Sequence, residues 1–276
     1  MERKRGTSLA ERTVTSASWN IVASLTKVVV LFIRSVLLAR WLPVEAFGVY
    51  ALANSITALT APLPNFGMES AFLHRAPETQ DESHAAAIHF TLKTLFTLAW
   101  ASALAIGTLI LVKGEDRAVM LAIIAVRAGI QLTQTPQLIL TRRVIHRRLA
   151  LIQLLKAILS TVVALGIARY RATVWALVAT DLVTFALTFV ALYVWRPVWR
   201  PRMVWDRAGT RYFLSFGSRA FLSTLLARAL DRTDDLWTGL FLGKTPLSFY
   251  SRAYRFANYP RTILAAPLNT VAGGTY

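Results

Sequence analysis

Eight stretches of the chain are apolar over a run long enough to be read as membrane-crossing helices. They cover roughly Val14–Trp41, Phe47–Leu73, Ala85–Val112, Ala118–Leu140, Leu149–Ala168, Ala172–Trp195, Tyr212–Leu242 and Phe249–Gly274. A spanning helix needs about 20 mostly apolar residues. The third, fifth and sixth runs meet that demand cleanly, and Ala172–Trp195 holds a single charge, Asp181. The first, second, seventh and eighth carry charge or proline. Apolar residues surround each run almost completely, leaving a thin polar stripe where a soluble helix has a whole charged face. Strands are disfavoured, because the runs are long, rich in Ala and Leu, and do not alternate. The pattern predicts an all-α polytopic membrane protein of about eight transmembrane helices. Residues 1–13 form an N-terminal tail, 14–195 a six-helix lobe, 196–211 a basic linker, and 212–276 the first two helices of a second, incomplete lobe.

Composition supports the same class. Charged residues are 16% of the chain and hydrophobic ones 55%, against roughly 25% charged in an ordinary soluble domain. The net charge is nevertheless +17, a value that first suggests nucleic acid. Its distribution gives another cause. With the N-terminus cytoplasmic, the tail and the loops after the second, fourth and sixth runs carry fourteen Lys and Arg, Arg142, Arg143, Arg147, Arg148 and five in Arg196–Arg211 among them. The opposite loops carry six: Arg40, Lys113, Arg117, Arg169, Arg171 and Lys244. That asymmetry follows the positive-inside rule, so no nucleic acid is needed. The first run is too long, and Lys27 and Arg34 too intrusive, for a cleaved signal peptide. Trp199 and Trp205 in the linker suit the headgroup level beside its arginines. The final residues, Asn269–Tyr276, include no polar tail, and are read as the end of a fragment or truncated product.

Two span–turn–span junctions echo each other. Leu42 and Tyr50 bracket one, Leu242 and Tyr250 the other, and Ser18/Ser218, Leu25/Leu225 and Ala53/Ala253 share the same offset of 200. Same-direction repeats about an axis along the membrane normal are a transporter architecture.

Three motifs carry a resemblance. Leu38-Ala-Arg-Trp-Leu-Pro-Val-Glu-Ala-Phe-Gly-Val-Tyr50 resembles the first-loop signature of the polysaccharide exporter, or O-antigen flippase, family, within the multidrug/oligosaccharidyl-lipid/polysaccharide flippase superfamily. Asn65-Phe-Gly-Met-Glu-Ser-Ala71 is similar to its second-span pattern, and the stretch from Leu242 to Pro260 to the start of its eighth span. Ser248 stands where the family often has Gly. The family usually has twelve or fourteen spans in two lobes, so this chain would supply one lobe and the start of another. The resemblance implies an inner-membrane transporter of a polyprenyl-pyrophosphate-linked oligosaccharide, working by alternating access, with the first, second, seventh and eighth spans lining the cleft. It also implies membrane lipids, and polysaccharide polymerase or export proteins, as partners.

An ionisable residue at membrane depth costs at least about 2.5–3.5 kcal/mol, so each one is a candidate. Asn20, Lys27, Arg34 and Trp41 recur every seven residues on one face of the first span. Arginine engages phosphate oxygens bidentately, which makes Lys27 and Arg34 candidate substrate contacts. The alternative is interhelical pairing or snorkelling. Arg219 and Arg228 in the seventh span, and Arg252, Arg255 and Tyr254 in the eighth, join them; with Tyr250 and Tyr259 the last three form an Arg/Tyr strip suited to a sugar-pyrophosphate. Asp231, Asp234 and Asp235, with Asp181, are candidates for ion coupling or a gate. Their bland reading is a salt-bridge cluster, since Arg228–Asp231 and Arg232–Asp235 are i,i+3 pairs. Asp234 is the repeat equivalent of Arg34, which suggests an outer latch between them. Lys156 or Arg127 is a candidate partner for Asp181, His89 and Lys93 share a face of the third span, and Pro62, Pro64 and Gly67 break the second.

No His/Cys/carboxylate cluster has metal spacing, and no GxSxG or GxxxxGK[ST] motif occurs. The expectation is a protein without catalytic residues, cofactor or metal, and not an enzyme. The alternatives are a cation-coupled small-molecule antiporter of the same superfamily and a non-transporting truncated product.

Overall fold

The computed structural model describes residues 26–74, 82–143, 146–254 and 256–258. No strand occurs among them. The helices are α1 (26–41), α2 (Val44–Thr60), α3 (Pro62–Asn65), α4 (Met68–Leu73), α5 (Glu82–Leu111), α6 (Glu115–Leu132), α7 (Gln134–Arg142), α8 (His146–Tyr170), α9 (Trp175–Phe189), α10 (Arg207–Trp237) and α11 (244–258). Wider π turns extend α9 through Val190–Trp195 and α10 through Thr238–Leu242. The chain is thus all-α, as its pattern predicts.

Five helices are long and apolar enough to cross a membrane: Val44–Asn65, Glu82–Leu111, Glu115–Arg142, Arg148–Tyr170 and Trp175–Trp195. They correspond to the second through sixth apolar runs. α10 has the length, at 31 residues, but is too polar to count by the same measure, and the described parts of α1 and α11 are shorter. Among the described residues, five of the eight expected spans meet this measure; much of the first and eighth runs lies outside those residues. Leu95, Leu98, Ile106 and Ile110 of α5, Val162 of α8 and Val194 of α9 face outward and exposed. Such a belt on all-helical spans fits acyl chains, because every backbone polar group is satisfied within its own helix. Threonine hydroxyls follow the same economy. Thr57, Thr91, Thr94, Thr184 and Thr188 each donate to the carbonyl four residues back. The polar stripe of the sixth span is thus largely satisfied within α9.

Among the described residues the helices pack through four apolar clusters, the smallest of them Leu140, Ile152 and Leu192. Leu38, Leu42, Phe47, Ala164, Ala168 and Leu177 join α1, α2, α8 and α9. Val49, Ala53, Val119, Ile123 and Val178 join α2, α6 and α9. At the other end Met68, Phe72, Ile88, Ile139 and Phe213 join α4, α5, α7 and α10. α10 therefore lies antiparallel along the second span, from Phe213 against Phe72 to Gly239 against Leu52.

The second span is broken between Thr60 and Met68. Pro62 and Pro64 cannot continue the backbone ladder. Phe66 adopts the left-handed region at φ 41°, and Gly67 follows at φ 68°. A phenylalanine there costs on the order of 1–2 kcal/mol. The stacked ring of Phe221 at 4.8 Å, the tilted ring of Phe96 at 5.9 Å and the Phe66 N–H bond to the Pro62 carbonyl at 2.8 Å hold it. At this break the backbones of two spans touch: a Cβ on Gly217 would collide with the Phe66 carbonyl oxygen, and one on Gly67 with the carbonyl of Gly217.

The linker is ordered across the helix ends. Arg148 caps the sixth span by donating to the carbonyls of Ala191, at 2.6 Å, and Arg196, a cation placed at a helix C-terminus. Trp199 packs on Phe90 at 5.7 Å and donates to Ser83 at 3.3 Å, so it is a packing residue, while Trp205 stays exposed. Asp206 caps α10 by accepting from Ala208 and Gly209 at 3.3 and 2.8 Å.

Candidate functional site

Three polar centres lie inside the bundle. The first is built on Asp181 of α9. Its carboxylate accepts from Tyr50 of α2 at 3.0 Å and pairs with Arg127 of α6 at 3.2 Å, and Arg127 also donates to Asn54 at 2.7 Å. Of the two partners expected for Asp181, Arg127 is the one that reaches it. Three spans are thereby tied together by one nearly buried acid.

The second centre was undervalued by sequence reading. His89 and Lys93 of α5 are completely buried. Lys93 donates to Asn65 at the break of the second span and to Gln131 of α6 at 2.7 Å. His89 shares a 3.0 Å bond through Nδ1 with Thr135 of α7, while its ring meets Phe72 and Phe213. The signal available in sequence was the matching i,i+4 spacing of His89/Lys93 and Gln131/Thr135 on neighbouring spans. A buried ammonium without hydrogen bonds is expensive, so Lys93 fixes the broken span against α5 and α6.

The third centre joins the second span to α10 and α11. Asp235 is buried and accepts from Ser55 at 3.2 Å, Ser251 at 3.0 Å and Arg232 at 3.1 Å. Asp234 next to it accepts from the Tyr250 hydroxyl. Of the two i,i+3 pairs expected in α10, Arg232–Asp235 forms; Arg228 and Asp231 are exposed and do not pair with each other among the described residues. Arg219 is exposed as well. Arg252 lies over the Phe47 ring at 3.8 Å, a cation–π contact that ties α11 to α2. Tyr250 and Tyr254 stack on each other at 6.3 Å. Arg255 and Tyr259 of that strip, and Asn20 of the first, lie outside the described residues.

On α1, Arg34 donates to Ser160 of α8 at 3.2 Å. Lys27, half-buried two turns away, lies within electrostatic range of Lys156, also on α8. Neither lysine makes an ion pair among the described residues. Lys27, Arg34 and Lys156 thus lie along the groove that we infer between α1 and α8, where Arg34 reaches Ser160. Arg34 and Asp234, the proposed latch, bond here to Ser160 and Tyr250 respectively. No group of three or more His, Cys, Asp or Glu with metal-holding geometry occurs among the described residues.

A family model described as polysaccharide biosynthesis protein matches residues 37–276. The match runs through all three motifs that carry the resemblance. Neither a curated protein nor a solved structure matches the chain. With a match over most of its length, this multi-pass helical chain belongs to the polysaccharide biosynthesis protein family, of the polysaccharide exporter type.

Proposed function

We propose that the protein moves a polyprenyl-pyrophosphate-linked oligosaccharide across the inner membrane by alternating access, with its N-terminus cytoplasmic and without chemical turnover. The observation that carries this reading is the α1–α8 groove. Lys27 and Lys156 lie within electrostatic range of each other, with no acid paired to either among the described residues. Two like charges held together in a low-dielectric setting repel strongly, and an anion between them turns that repulsion into binding. A pyrophosphate supplies the charge and Arg34 a fork of donors beside it. On this reading the hydroxyls and rings of Tyr250 and Tyr254 meet the sugar, and Arg252 and Arg255 guard the eighth span. The seam along Asp235, Ser55 and Ser251 is what parts when the cleft opens.

The test is translocation by protein reconstituted in vesicles, using a polyprenyl-pyrophosphate disaccharide with a fluorophore quenched only from outside. The expected result is protein-dependent movement, with at least ten-fold less for the same disaccharide on an uncharged polyprenyl ether. Movement no faster than in protein-free vesicles would overturn the proposal.

A further inference from the structure

The face of α10 turned away from the rest of the bundle carries a pattern that packing does not explain. Its buried stripe, Gly209, Phe213 and Gly217, seats the helix on α4 and α5. Two residues further on, about 200° around a helix of 3.6 residues per turn, come Ser215 and Arg219. They belong to an unbroken i,i+4 row: Arg207, Arg211, Ser215, Arg219 and Ser223, every one exposed. Such rows form continuous ridges on a helix surface. This one climbs about 24 Å along α10, away from the linker.

At the foot of the ridge Arg207, Arg211, Tyr212 and Ser215 line an open groove. The helix N-terminus takes no part, because Asp206 already holds its free N–H groups. Tyr212 is fixed by donating to the Ala71 carbonyl at 3.2 Å and by its contact with Phe216, which makes it a rigid wall. None of Arg207, Arg211 and Arg219 has an acidic partner among the described residues. Topogenic charge accounts for arginines in a loop, which the positive-inside rule places there. It does not account for Arg219, three turns above Arg207 on the same ridge, with serines filling the intervening position and the next one above.

We propose that this ridge is a loading track for a lipid-borne pyrophosphate: the headgroup docks at Arg207 and Arg211 on the linker side and is handed up to Arg219. Neighbouring guanidinium groups one turn apart match two linked phosphates, each able to take a bidentate contact. The inference rests on the functional reading above and adds to it a second, earlier site, distinct from the α1–α8 groove. Charge complementarity selects the occupant. Acyl chains or an apolar helix would leave three cations without counter-charges.

Native mass spectrometry of the full chain in detergent micelles tests it, with polyprenyl pyrophosphate, phosphatidylglycerol and inorganic pyrophosphate as separate probes. Wild type should bind polyprenyl pyrophosphate at least ten-fold more tightly than either other probe. Arg207→Gln/Arg211→Gln should lose at least ten-fold of that affinity, while Arg207→Lys/Arg211→Lys keeps part of it. Both pairs are exposed, and unchanged helical circular dichroism shows that the fold holds. Equal binding of phosphatidylglycerol, equally lost in the Gln variant, would make the ridge a general anionic-lipid surface and overturn the track. Equal binding of inorganic pyrophosphate would overturn the lipid-borne ligand. A Gln variant that binds like wild type would overturn the track alone. A wild type that ignores polyprenyl pyrophosphate would overturn both the track and the functional reading.

Discussion

Cations sit on these helices in two different ways. Inside the bundle of the second span, α5, α6 and α9 they are matched. Arg127 meets Asp181 and Asn54, and Lys93 meets two amide oxygens. Lys27 of α1, Lys156 of α8 and the arginines on the outer face of α10 have no acid paired to them among the described residues. Lys27 faces Lys156, and Arg207, Arg211 and Arg219 share one exposed ridge. Matched charges hold one geometry, because removing either partner leaves an uncompensated charge in a low dielectric. Gathered like charges do the reverse: they raise the energy of the empty site and lower that of an anion inside it. The difference separates scaffold from working surface by a physical criterion and not by position in the chain.

The largest expected effect breaks the frame on which both regions depend. Gly217→Val forces a branched side chain into the backbone contact with Phe66. Neither backbone can yield without undoing the break in the second span. A loss of about 3 kcal/mol, the upper end of overpacking penalties, is expected as reduced thermal stability in detergent. Gly107→Ala, with nothing within 4 Å of its Cβ, is the control and should leave stability unchanged.

Next comes the matched centre itself. Asp181→Ala strands Arg127, whose side chain is 31% exposed against 13% for the acid. Water reaching Arg127 tempers the penalty, so about 2 kcal/mol is expected, below the 3–5 typical of fully buried pairs. Removing both charges in Arg127→Met/Asp181→Leu should recover most of it. A double variant as unstable as Asp181→Ala would show that the pair is not the unit of stability.

A smaller and purely functional effect sharpens the comparison at the seam. Arg34 and Asp234 are 200 positions apart, the offset of the repeat expected from sequence, and are bonded here to Ser160 and Tyr250. Arg34→Asp and Asp234→Arg alone should each slow transport several-fold by placing like charges across the cleft. The double swap should regain part of the rate. A double swap no better than the worse single variant would remove the latch and leave Arg34 as a phosphate contact.

The helical class and spans two to six were legible because hydrophobic length is a strong, local signal. The break at Pro62, Pro64 and Gly67 was legible too, since proline and glycine act on their own backbone. Asp181's partner was narrowed to two residues by charge alone, and only the packing of α6 on α9 selects Arg127. Lys93 and His89 were visible as a shared helix face. Their partners Asn65, Gln131 and Thr135 lie 28, 38 and 46 residues away from the groups they bind, and amide and hydroxyl partners leave no charge pattern to search for. The gathering of Lys27 with Lys156 was hidden for the same reason: one residue on each of two distant spans has no periodicity. The ridge on α10 was present in the sequence as an i,i+4 row. Its exposure became meaningful only once the opposite face was seen packed on α4 and α5.

The central claim is that Lys27 and Lys156, which form no ion pair among the described residues, are held for an anionic substrate. The most direct test measures thermal stability and translocation rate on the same preparation of Lys27→Gln/Lys156→Gln. Relieving two like charges should leave the melting temperature unchanged or raised, as is common when a working site is neutralised. The rate for the pyrophosphate-linked substrate should fall at least ten-fold. A wild-type rate, or a rate that falls only as far as stability falls, would contradict the account.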